Sequence, residues 1–317
     1  MKTNPSRARV AIAQSEPVYL DAQASLRKAL LLIQQAKQEH AELVAFGETW
    51  LPGYPAWLDV CQNAALWNYK PTKQLFARLR QSSISVDGPE VSALREIAGD
   101  LKITVVIGVN ERVASGPGNG TLYNSLLTLT PDGRLGNHHR KLVPTYTERM
   151  VWGNGDGRGL RSVDAQGVRV GGLICWEHWM PLARMAMHNA GESIHVAVWP
   201  TVHELHQLSS RHYAFEGRCF VLAVGLLMQA SALPAELSAS SAAGGASGPW
   251  IERGGSTIIA PDARYIVEPV FDREELIIAD LDLSEIDQEV MTLDVSGHSA
   301  RPDVFTFATN LESKGST

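Results

Sequence analysis

The chain has little cysteine. Its 317 residues include three, Cys61, Cys175 and Cys219. So sparse and odd a set argues against a disulfide framework and for a reducing compartment, so a cytoplasmic location is expected. There is no excess of positive charge. Twenty-eight Lys and Arg against 34 Asp and Glu leave a formal net charge of −6, so no global basic field favours nucleic acid or an anionic membrane. Long apolar runs are missing too. No uninterrupted stretch approaches the roughly 20 residues that span a bilayer. The opening "MKTNPSRARVAIAQSEP" lacks the apolar core of a secretory signal. The histidines of "VHELH" (His203, His206, with His212 beyond) are not at H-E-x-x-H spacing, so no metal site is expected. "GNGDGRG" (153–159) has no Lys-Ser/Thr after it and reads as a tight turn, not a phosphate cradle.

What is present suits a soluble protein with a large core: 44% hydrophobic and 20% charged residues. Strand-like runs at 8–14, 41–48, 103–113, 168–175, 194–200 and 219–228 alternate with helical patterns at 21–40, 89–102, 181–191 and 204–218. In the first helix Leu26, Ala29, Leu30, Ile33 and Ala36 share one face. Hairpin turns fall at Pro131-Asp132-Gly133 and near Pro261-Asp262, a strand at 274–283 closes the sheet, and a helix follows at 284–294. This is an α/β layered sandwich with helices covering one face of the sheet. No composition break divides it, so one domain is expected. The Ala/Ser/Gly-rich stretch 231–250 reads as a surface loop and 306–317 as a tail. Cys219 reads as core, and Cys61, near an aromatic loop, as partly exposed.

Three reactive side chains stand at or just after strand-like runs: Glu48, Lys141 and Cys175. Strand ends are where open α/β sheets bind ligands. A thiolate is a nucleophile for electrophilic carbon. A carboxylate can take its proton and later activate water. An ammonium, with the backbone N–H of Trp176, can stabilise the anion that develops on the substrate. Each also has a plain alternative: a core thiol, a capping carboxylate, a surface lysine. On spacing alone the two readings stay level.

Three blocks tip that balance: "FGETWLPGYP" (46–55), "HRKLVPTYTERMVWGNGDG" (139–157) and "GGLICWEHWMPLARMAMHNAGESIHVAVWP" (171–200). In this order they resemble the nitrilase superfamily, and its true nitrilase branch in particular. The likeness spans about residues 8–305. It implies a single-domain four-layer α-β-β-α sandwich over 1–305. It implies Glu48 as base, Lys141 as positive stabiliser, Cys175 as nucleophile, and Glu148 in "TERMVW" as a second glutamate that orients Lys141. "CWE" after the strand resembles nitrile-active members. Ser299, where many relatives carry an aromatic, and Gly47, where many have Pro, depart from the pattern without touching the triad. The reaction so implied is nitrile hydrolysis to acid and ammonia through a cysteine thioimidate and thioester, with no cofactor. Amide or carbamoyl hydrolysis, and a non-catalytic assembly role, stay open as alternatives. The resemblance also implies a homo-oligomer built from dimers. Aromatic side chains beside the blocks are candidates for the substrate pocket: Trp50, Tyr54 and Trp57 after the base, Trp176 after the nucleophile, and Trp199 with Thr201 at the end of the next strand. They suit an aromatic or arylaliphatic nitrile, though core packing is an equal reading for Trp57 and Trp199.

Overall fold

The computed structural model describes residues 5–237 and 249–311. Parts of the expected 231–250 loop and 306–317 tail lie outside the described residues.

The first strand, β1 (Arg7–Gln14), shows how the layers arise. Val10 and Ile12 point into one apolar cluster, Ala11 and Ala13 into another, because successive strand side chains face opposite sides. Helix α1 (Ala22–Gln38) starts at Asp21, whose carboxylate accepts from the Ala24 amide at 2.9 Å. Its Leu26, Ala29, Ile33 and Ala36 bury against the Ala11/Ala13 side. Then come β2 (Leu43–Ala45), α2 (Trp57–Val60), α3 (Lys70–Ser82), α4 (Pro89–Leu101), β3 (Thr104–Arg112), β4 (Leu122–Leu129) and β5 (Leu135–Arg140). The second half has β6 (Val163–Ala165), β7 (Val168–Ile174), α5 (Pro181–Asn189), β8 (Ile194–Trp199), α6 (Glu204–Gly217), β9 (Phe220–Gly225), β10 (Leu227–Gln229), β11 (Trp250–Ile259), β12 (Tyr265–Phe271), β13 (Glu275–Asp282) and α7 (Ser284–Glu289).

Two mixed sheets result, ordered β13-β1-β2-β3-β4-β5 and β10-β11-β9-β8-β7-β6, with β12 on β11. Each has a parallel centre, β1-β2-β3 and β7-β8-β9, with antiparallel strands outside it. Val10, Ile12, Leu43, Ala45, Val106 and Leu126 of the first sheet share one cluster with the strands of the second. Helices α1 and α4 cover the outer face of the first sheet, and α5 and α6 that of the second. The expected α-β-β-α order of layers is found. Each sheet has one face on its helices and the other on its partner sheet.

Several details differ from the sequence reading. The run 41–48 is strand only over Leu43–Ala45, since the chain leaves the sheet at Phe46 to carry Glu48. The run 219–228 breaks at Leu226, which joins the first sheet's outer cluster while β9 stays in the other. Helix α3 is not expected from the sequence, because Leu75 and Leu79 are its only buried residues. Helix α7 ends at Glu289, not near 294, and Cys61 is buried rather than partly exposed.

Candidate active site

Glu48 lies three residues past β2, where its segment crosses β3 closely. A Cβ on Gly108 would sit 2.3 Å from the Gly47 carbonyl oxygen and 2.4 Å from the Thr49 nitrogen. Only a glycine fits under that crossing. Glu48 is fully buried. Its Oε1 accepts from Asn124 Nδ2 at 2.7 Å and from Lys141 Nζ at 3.0 Å. Its Oε2 has no partner among the described residues. Burial pushes its carboxyl up to about 7, against the pull of the Lys141 charge.

Lys141 follows β5 directly, and its amide donates to the Asn124 carbonyl at 2.8 Å. The ammonium bonds Glu148 as well as Glu48, at 2.9 Å to Oε1 and 2.8 Å to Oε2. Burial alone would lower the lysine's affinity for its proton, but the acidic groups Cys175, Glu48 and Glu148 together hold it above the ordinary value. Glu148 sits on a short 3-10 turn (Tyr146–Met150). It also accepts from the Tyr54 hydroxyl at 2.9 Å and the Thr145 amide at 2.6 Å. One buried ammonium thus carries two carboxylates, and a loop from each side holds the outer one.

Cys175 comes immediately after β7, at the first position of a 3-10 turn (Cys175–Trp179). Its φ is +52°, a left-handed conformation that costs a non-glycine residue about 1–3 kcal/mol. The Glu177 carboxylate braces this turn. It accepts from the Ile174 amide at 2.7 Å and the Leu142 amide at 2.8 Å, and it contacts His139 Nε2 at 2.8 Å. One side chain therefore ties the residue before the thiol to the residue after the lysine. Burial raises the Cys175 thiol well above its usual range. Lys141 opposes that rise, and the Glu48 and Glu148 carboxylates add to it. The neighbouring Trp176 N–H also acts against the rise. The resting group is a thiol. Passing its proton to Glu48 moves negative charge from oxygen to sulfur beside the same ammonium, so no new net charge is buried.

A cavity of about 190 Å³ opens over Cys175 and Glu148, lined also by Tyr54, Asp59, Thr145, Tyr146, Thr147, Trp176, Pro200 and His206. Drug-sized ligands occupy pockets from roughly 300 Å³, so this one suits a small molecule. A larger apolar groove of about 500 Å³ lies elsewhere, along Trp57, Leu66, Trp67, Phe76 and Met150. It is lined by no thiol and no carboxylate, whereas Cys175, Glu148 and Asp59 line the smaller cavity.

The sequence profile of the carbon-nitrogen hydrolase family matches residues 9–289. A protein called Nitrilase 2, from an unknown prokaryotic organism, is 39% identical and aligns with 93% of this chain and 90% of its own. An arylacetonitrilase of Aspergillus kawachii is 35% identical, covering 94% and 90%. An aliphatic nitrilase of Sinorhizobium fredii is also 35% identical, covering 98% and 97%. The chain belongs to the carbon-nitrogen hydrolase family, in its nitrilase branch. The crystal structure of Nit3 from Saccharomyces cerevisiae shares the fold, with a TM-score of 0.72 at 21% identity over 94% of this chain and 98% of that one.

In this carbon-nitrogen hydrolase, Glu48, Lys141, Glu148 and Cys175 meet at one place, and Tyr54 and Trp176 line the cavity. The other residues expected to bind substrate sit outside that lining. Trp50 donates to the Ser15 carbonyl at 2.8 Å and packs on Phe46. Trp57 lines the apolar groove. Trp199 is buried under His178, Trp179 and His206. The Thr201 hydroxyl donates to Glu252 at 2.5 Å. Tyr146, Thr147, Asp59 and His206 line the cavity without any expectation of it from the sequence. Glu177 belongs with them, since the "CWE" pattern draws notice there without revealing the bracing role. A glutamate three residues past an apolar strand residue is the available signal. Among the described residues no group of three His, Cys, Asp or Glu is placed to hold a metal ion.

Proposed function

We propose that this nitrilase-branch protein hydrolyses a small organic nitrile to its carboxylic acid and ammonia. One observation carries the reading: a buried ammonium is bonded to two carboxylates, and one of these, Glu148, lines the same cavity as a thiol in a strained turn. The Cys175 sulfur adds to the nitrile carbon, while its proton passes through Glu48 to the nitrile nitrogen. A thioimidate results. Lys141 and the Trp176 N–H stabilise the anion on nitrogen as it develops. Water, giving a proton to Glu48, adds to the thioimidate carbon. The C–N bond breaks, ammonia leaves, and a thioester remains. A second water releases the acid and restores the thiol. Glu148 holds Lys141, and Tyr54 holds Glu148. No cofactor enters these steps.

Trp176 and Tyr146 at the mouth of the cavity suit a planar or arylaliphatic acyl part. Relatives of equal identity are named for arylaceto- and for aliphatic nitriles, so the substrate must be read from turnover. Purified protein is to be offered matched nitriles and amides, with acid, amide and ammonia all quantified. Acid and ammonia in equal amounts from a nitrile support the reading. Turnover of amides alone moves it to amidase, and no turnover at all to a non-catalytic member.

We also place the protein in the cytoplasm as a homo-oligomer. Free Cys61, Cys175 and Cys219 support a reducing compartment. Exposed Leu66 and Trp67 beside the apolar groove support contact between copies. Among the described residues no helix is long and apolar enough to cross a membrane.

A further inference from the structure

Behind the nucleophile lies a row of buried polar side chains that the reaction above does not use. His178 Nδ1 is 2.7 Å from the Cys175 carbonyl oxygen. His178 Nε2 is 2.9 Å from His195 Nε2, and His195 Nδ1 is 2.8 Å from Glu192 Oε2. Glu192 Oε1 accepts from the Tyr213 hydroxyl. All four side chains are buried, and none of their polar atoms lacks a partner. The rings are clamped: Tyr213 stacks on His195 at 3.9 Å between centroids, and Trp199 lies on His178 at 4.7 Å. The backbone is cut to fit. A Cβ on Gly171 of β7 would sit 1.9 Å from Glu192 Oε2, so a glycine stands where the carboxyl passes.

We propose that this row, from the Cys175 carbonyl through His178, His195 and Glu192 to Tyr213, aims the Trp176 amide at the substrate anion, with Glu192 serving as a neutral acid donor. It rests on the nitrilase reading of the same site. The argument starts at the one fixed end. A carbonyl only accepts, so His178 Nδ1 carries a proton and donates to it. Neutral His178 then accepts at Nε2, which makes His195 Nε2 the donor. His195 Nδ1 in turn accepts, and only a protonated Glu192 can donate to it. Burial favours this uncharged arrangement, pushing both imidazoles well below their ordinary range and Glu192 up to about 7. The Cys175–Trp176 peptide is trans, so its C=O and N–H point opposite ways. Drawing the carbonyl towards His178 turns the Trp176 N–H towards the sulfur and the cavity. His178, His195 and Glu192 are positioning residues, since they act through that peptide.

Two measurements test this. Neutron diffraction on the wild-type protein should show deuterium on Nδ1 of His178, on Nε2 of His195 and on the Glu192 carboxyl. In turnover, His178→Ala and Glu192→Leu should each lower kcat by about 10²-fold with KM near wild type, as losing an aimed donor does. Glu192→Gln should stay within a few-fold of wild type, because its amide N–H donates to His195 and its oxygen still accepts from Tyr213. A purely structural role would not give this split or this rescue. Deuterium on Nε2 of His178, or a Glu192→Gln variant as slow as Glu192→Leu, overturns the proposal while wild-type nitrile turnover stands. A wild-type protein inactive on every nitrile overturns the functional reading beneath it, a result the neutron data do not affect.

Discussion

Replacing Glu48 by Gln should separate stability from catalysis in a pH-dependent way. In the native protein burial raises this carboxyl from the ordinary 4.5 to about 7. The native state therefore holds a proton that the unfolded chain has released between those values. Its stabilising share is complete below about pH 4.5 and is lost as pH rises through about 7. That rise corresponds to about 3 kcal/mol at roughly 1.4 kcal/mol per pH unit. The amide of the Glu48→Gln variant cannot ionise, so the variant escapes the loss. It leaves an amide N–H without a partner where Oε2 stands alone, which costs roughly 1–3 kcal/mol at every pH. The constant offset cancels in a comparison across pH. Variant minus wild-type stability should climb by about 3 kcal/mol between pH 4.5 and pH 8. At roughly 2–4 °C per kcal/mol, the difference in Tm should grow by about 6–12 °C in thermal melts. Turnover by the variant should fall about 10²–10⁴-fold. A Tm difference that stays flat with pH, or shrinks as pH rises, refutes the picture of Glu48 as a desolvated base.

The same carboxyl should shape the rate. Below about pH 7, kcat/KM should fall tenfold per pH unit as Glu48 takes up a proton; a profile flat from pH 5 to 8 would exclude it as base. Glu177→Ala strips a partner from His139, Leu142 N and Ile174 N at once. It should destabilise by about 3–5 kcal/mol and slow alkylation of Cys175, read by chemical denaturation and iodoacetamide labelling. Tyr54→Phe removes one bond to Glu148 and leaves Lys141 in place. It should lower kcat about tenfold with no more than about 1.5 kcal/mol lost in stability, checked by kinetics alongside melts. Gly108→Ala drives a methyl into the Gly47–Thr49 backbone and should lower activity and Tm together, in contrast to Glu48→Gln.

Much of the layer order is legible because strand and helix periods are strong where one face is buried. Val10/Ile12 against Ala11/Ala13 in β1, and Leu26, Ala29, Ile33 and Ala36 in α1, sort by period alone. Helix α3 is hidden because two leucines four apart carry its whole buried face. The break at Leu226 is hidden because an apolar run does not say which layer each residue joins. At the site, Glu48, Lys141 and Cys175 each follow a strand and Glu148 lies within a short 3-10 turn, and without the contacts their meeting rests on resemblance. The aromatics beside them are a poorer guide. Trp50 and Trp199 follow the right segments yet point into the core, since a large ring near a strand end packs inward as readily as towards a ligand. Glu177 and the His178–His195–Glu192 row escape a sequence reading because, beside links three residues apart, the contacts that complete them run from Glu177 to His139, 38 residues away, and from His178 to His195, 17 away, beyond any local pattern.

The central claim is that the Cys175 sulfur becomes bonded to the substrate carbon. Acid-quenching the wild-type protein within the first turnovers of a hydrolysed nitrile, then mapping peptides by mass spectrometry, tests it directly. The account predicts an added acyl or imidoyl mass on the peptide carrying Cys175, none on those carrying Cys61 or Cys219, and no turnover by Cys175→Ala. Steady hydrolysis with an unmodified Cys175 peptide, or by the Cys175→Ala protein, would contradict it.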